Sequence, residues 1–180
     1  MKNVLAAGVA AAALVSAASA DVTYTFTNQV WTGFNFNEAY AAGSLTGTLT
    51  GASVNAVLNA STAYTYADDL CIYVAGSPLA LGGMLQCGGF SNLNATQRYS
   101  WANGASSNPG TTVSGTVNFT TGINMATNPT MSVWIGNGYG AAGTSGTWTG
   151  TITLIGVTVV PAPGAIALLG LAGLVGRRRR

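Results

Sequence analysis

Val22, Tyr24 and Phe26 alternate with threonines, and this period of two governs most of the chain. It returns at Leu45, Gly47 and Leu49, at Val113, Gly115, Val117 and Phe119, at Met131, Val133 and Ile135, and at Trp148, Gly150, Ile152 and Leu154. Alternation of this kind presents one apolar and one polar face, as a half-buried strand requires. Residues 69–75 (DLCIYVA) are continuously apolar after the aspartate, which predicts a strand in the core. Gly76-Ser77-Pro78, Gly82-Gly83, Gly88-Gly89, Asn108-Pro109-Gly110, Asn128-Pro129 and Asn137-Gly138 punctuate these runs as turns. Residues 52–60 fit a helix or a strand; no other stretch between 21 and 160 reads as an amphipathic helix. Many short strands separated by turns predict an all-β fold, an antiparallel β-sandwich of jelly-roll-like form.

The two ends are of different character. Lys2, an apolar stretch from Val4 to Val15, and the small residues Ala18-Ser19-Ala20 make residues 1–20 a secretory signal peptide, with Ala18 and Ala20 framing the cleavage site. Residues 21–158 form the exported domain. Residues 159–180 hold Pro161-Ala162-Pro163, an apolar run over 164–176, and the cluster Arg177, Arg178, Arg179 and Arg180. Arginines resist translocation, so this order leaves the body outside the cytoplasm. As a helix the run spans about 20 Å against a hydrocarbon core of about 30 Å, a marginal membrane helix. Gly170, Gly173 and Gly176 give it a small-residue face on which another membrane helix packs closely. A short anchor with a docking face suits a segment held briefly and then removed; the alternative is a permanent anchor.

Pro161-Ala162-Pro163, the apolar helix and the arginine cluster resemble, in that order, the PEP-CTERM sorting signal of bacterial exported proteins. The resemblance covers about residues 160–180. It implies processing by an exosortase-type membrane enzyme, at least transient membrane residence, and display at the cell envelope, cell surface or extracellular matrix. Ala162 stands where that family has glutamate, so the chain carries a Pro-Ala-Pro variant. In the body, residues 65–75 and 145–157 resemble the Tyr-x-x-Asp-Leu and Gly-x-Trp-x-x-x-Ile strands of proprotein-convertase P-domain sandwiches. That likeness implies a jelly-roll-like fold and no activity.

The formal charge of +2 comes from the ends. Between 21 and 160 the only base is Arg98, against Asp21, Glu38, Asp68 and Asp69. One arginine cannot neutralise a phosphate backbone, which excludes nucleic acid as a partner. With no histidine in the chain, Ser-His-Asp and Cys-His catalysis are excluded, and no zinc site or other cofactor is expected. The acids leave a carboxylate-dependent hydrolase as a remote reading, Glu38 working with Asp68 or Asp69. On a strand those two aspartates would face opposite ways; the simpler reading is a turn or strand-start pair before Leu70. Cys71 and Cys87 flank a hairpin, and export favours a disulfide between them; two buried thiols are the alternative.

The expectation is a non-enzymatic exported structural protein. A carbohydrate- or matrix-binding module is the alternative, with extracellular polysaccharide as partner. Trp31, Tyr99 and Trp101 are the residues singled out to stack on sugar rings, if they are exposed; the competing reading buries them.

Overall fold

The computed structural model describes residues 21–77 and 82–161. They build nine strands: β1 (Val22–Thr32), β2 (Phe36–Tyr40), β3 (Leu45–Thr62), β4 (Leu70–Ala75), β5 (Leu85–Cys87), β6 (Gln97–Tyr99), β7 (Thr111–Asn124), β8 (Ser132–Asn137) and β9 (Ser145–Val159). A 3-10 turn over Ala67–Asp69 precedes β4, and the ambiguous stretch 52–60 lies within β3. Two sheets form, in the orders β1-β9-β3-β7 and β2-β8-β4-β5-β6. All pairings are antiparallel except β5 with β6. Apart from β4-β5-β6, each connection carries the chain from one sheet to the other.

The inner faces meet in one core. Phe26, Trp31, Leu49, Leu58, Trp148, Ile152 and Leu154 of the first sheet pack with Ile72, Val74, Leu85, Val133 and Ile135 of the second. Phe26, Trp31 and Trp148 form a row of rings at 5.5 and 5.8 Å, spacings favourable to aromatic packing. The outer face of the second sheet is also covered. Phe36, Cys71, Tyr73 and Ala75 pack there with Leu93, which the β5–β6 loop brings over them. Covering on both faces is why the whole of β4 is buried, as its unbroken apolar sequence requires.

Bulges decide which residues face inward. Along β1, Phe26 is buried, yet the register shifts between Phe26 and Gln29 around Asn28, whose φ is +48°. The extra residue reverses the alternation. Val30 is therefore exposed and Trp31 turned into the core, at 1% exposure. A similar shift in β3 between Leu49 and Gly51 moves the buried set from odd to even positions.

The expected disulfide is corrected by the register of the hairpin. Ile72 pairs with Cys87, so Cys87 shares the face of Ile72 while Cys71 points to the other. Cys87 accordingly belongs to the inter-sheet core and Cys71 to the outer cluster. Both are free, buried thiols. Burial pushes the Cys87 thiol up to about 12 and that of Cys71 well above its ordinary value. Neither is a nucleophile at neutral pH.

Thr62 and Ser145 pair at one end of the first sheet, and Leu45 and Val159 at the other. After β9, Val160 donates its N–H to the Ser44 carbonyl at 2.8 Å, and Pro161 is exposed. Residues 1–20 with Ala18 and Ala20, Ala162, Pro163, the run 164–176 and Arg177 to Arg180 lie outside the described residues.

Candidate functional site: an aromatic cleft at one end of the sandwich

Three loops converge beyond Thr62 and Ser145. The β3–β4 connection brings Tyr64 and Tyr66, the β5–β6 loop brings Phe90, and the β8–β9 loop brings Tyr139. With Asp69 they line a cleft of about 160 Å³. Tyr64 and Phe90 are 78% and 75% exposed, Tyr66 40%. Large rings exposed together make this patch a candidate binding surface. Phe90 and Tyr139 meet edge to face at 5.7 Å.

Each ring is held out by its own local structure. Ala63 and Tyr64 both take left-handed backbone, φ +52° and +63°, unusual for residues with side chains. Thr65 closes that turn, donating both its N–H and its hydroxyl to the Thr62 carbonyl. Phe90 follows Gly88 and Gly89, each at φ +79°. A Cβ on Gly88 would overlap the Leu70 carbonyl and the Trp101 indole, so only glycine lets the loop lie this close. From below, the buried Gln86 side chain donates to the Ser91 carbonyl at 2.7 Å and accepts from the Leu93 N–H at 2.9 Å.

Asp69 ties the three loops together and is only 4% exposed. Its carboxylate accepts the Tyr66 N–H at 2.7 Å and the Phe90 N–H at 3.1 Å. Its backbone carbonyl accepts the Gly138 N–H at 2.7 Å. Burial pushes the carboxyl up to about 6; the Tyr66 and Phe90 N–H groups oppose this and the Asp68 charge adds to it. The turn beneath is fixed from the core, where Trp148 Nε1 donates to the Ala67 carbonyl at 3.1 Å. This contact joins residues 65–75 to residues 145–157.

A second hollow of about 390 Å³ adjoins the cleft and shares Tyr66, Asp69 and Phe90 with it. Asp68, Arg98 and Trp101 line its other side. Arg98 Nη2 donates to the Phe90 carbonyl at 2.7 Å.

The residues singled out from sequence sit elsewhere or are turned away. Trp31 is in the core against Phe26 and Trp148, a correction whose cause is the Asn28 bulge. Trp101 lines the second hollow but is 5% exposed, its Nε1 donating to the Leu70 carbonyl at 2.7 Å. Tyr99 packs on Phe119 at 5.0 Å and donates its hydroxyl to Gln97, so it braces β6 against β7. None of the three offers a ring to the cleft.

Asp68 and Asp69 occupy the 3-10 turn rather than a strand, and both line the second hollow. Glu38 does not join them. It is exposed in β2, in the row of Trp134 and Tyr73, two strands from β4 and four residues along from Asp69. Strand spacings put that at roughly 16 Å, beyond the carboxylate separations of glycoside hydrolysis. Among the described residues no group of three or more Cys, Asp or Glu converges as a metal site.

No protein-family model, curated protein or solved structure matches the chain.

Proposed function

We propose that this is an exported, non-enzymatic β-sandwich protein of the cell surface or extracellular matrix that holds a saccharide in its aromatic cleft. The reading extends to topology. β1-β9-β3-β7 facing β2-β8-β4-β5 is the order of a jelly roll, to which β6 adds a short edge strand parallel to β5. The observation that carries the binding reading is the convergence of Tyr64, Tyr66, Phe90 and Tyr139 on one cleft. Aromatic faces stack on sugar rings, and the polar ends of tyrosines beside them suit sugar hydroxyls. A purely structural role gives no reason for two rings more than 70% exposed on loops stitched by a buried carboxylate.

Tyr64→Ala and Phe90→Ala are expected each to weaken binding to extracellular polysaccharide three- to tenfold. Thermal stability should stay within about 0.5 kcal/mol of the parent, because both rings are exposed. The assay is retention of the purified exported domain on host polysaccharide, followed by calorimetry on the oligosaccharides that compete. Undiminished retention of both variants would remove the cleft from the function.

Sorting rests on the PEP-CTERM-like tail, with an exosortase-type enzyme and the membrane as partners. Intact mass of the protein from membrane and medium fractions of its host is expected to start at Asp21 and to end near Pro161 to Gly164. A membrane-bound form retaining Arg180 would mean a permanent anchor instead.

A further inference from the structure

We infer that the saccharide held in the cleft is an amino sugar carrying a free ammonium, a deduction that rests on the saccharide reading above. Four aromatic residues and one carboxylate, Asp69, line the cleft, and no base is among them. Arg98, the one cation of the exported domain, reaches only the neighbouring hollow and spends its guanidinium on the carbonyls of Phe90 and Gly89.

The two kinds of lining group select in the same direction. Ring faces carry negative quadrupole charge and attract cations. An ionised carboxylate among them is largely withdrawn from water and takes its hydrogen bonds from backbone N–H groups, so a cation entering the cleft answers its charge. The structural duty of Asp69 does not exhaust it. Its two oxygens accept one backbone N–H each, from Phe90 and Tyr66, while a carboxylate offers about four acceptor positions. A neutral hexose would use the rings and leave the charge unanswered. An N-acetylated sugar would bring an amide in place of the cation.

The test compares three probes of equal length on the intact exported domain by calorimetry near neutral pH: a β-1,4-linked glucosamine oligomer, its fully N-acetylated form, and the corresponding glucose oligomer. The glucosamine oligomer is expected to bind about tenfold more tightly than the other two, with the difference shrinking as salt is raised. In Asp69→Asn the preference for the glucosamine oligomer over the glucose oligomer should vanish, whatever the substitution does to the affinity for both. Should that variant fail to fold, the ranking of the three probes on the parent protein decides the matter unaided. Equal or tighter binding of the N-acetylated or glucose oligomer overturns the amino-sugar inference and leaves the saccharide reading standing. Loss of all three, with host polysaccharide still retained, also overturns it. Failure of the three probes together with host polysaccharide overturns both.

Discussion

Trp148→Ala is expected to lower the unfolding free energy by about 3–5 kcal/mol, the range for emptying a large aromatic site in a packed core. For a domain of this size that corresponds to a fall in melting temperature of roughly 10–20 °C. The ring is fully buried, packs at a tilt against Trp31 with centroids 5.8 Å apart, and sits where β9 pairs with both β1 and β3. The loss should also reach the cleft, which Trp148 does not line. Without its Nε1 donor the Ala67 carbonyl has no side-chain partner, and the turn carrying Asp69 loses its tie to the core. Trp148→Phe separates the effects: most of the packing remains, the hydrogen bond goes, and about 1–2 kcal/mol should be lost. Urea denaturation gives both numbers. A change below about 1 kcal/mol for Trp148→Ala would be incompatible with this core.

The second large effect is one of pH. Asp69 has its carboxyl raised from 3.8 to about 6 by burial, so the folded protein holds that proton more tightly than the unfolded chain. This contribution favours folding most below about pH 4 and is lost as pH rises through about 6. Asp68, raised in the same direction by burial, adds to the trend. The protein should therefore be more stable near pH 4.5 than near pH 7.5, by on the order of 2 kcal/mol. Most soluble domains lose stability over the acid side of that range. Asp69→Asn should flatten the profile. An unchanged profile in that variant would show that the carboxyl is not the group responsible.

Strand identity was legible in the sequence because period-two alternation is a local property. Val22 to Phe26, Val113 to Phe119 and Trp148 to Leu154 each declare themselves within a few residues. Strand phase was not. It is reset by single extra residues, such as Asn28, whose effect is to exchange the two faces from that point on. Carrying the alternation of Val22, Tyr24 and Phe26 forward puts Val30 inside and Trp31 outside, the reverse of what β1 does. The cysteines fail for a related reason. Register in the β4–β5 hairpin depends on how the intervening loop folds, and a shift of one residue separates a bridgeable pair from two thiols on opposite faces. The cleft rings come from three separate loops and share no local pattern. A signal was nonetheless present: Phe90 follows Gly88-Gly89, and Tyr139 follows Asn137-Gly138. Large aromatics set immediately behind turn dipeptides have little opportunity to reach a core.

The length of β9 has a geometric consequence. It begins beside the aromatic loops at Ser145 and ends at Val159, just before Pro161. At about 3.3 Å per residue the strand is a strut of roughly 45 Å. A protein tethered by its C-terminus would thus stand on one tip and present Tyr64 and Phe90 at the other. The rings would clear the lipid headgroups by the full height of the molecule, pointing into whatever polymer surrounds the cell.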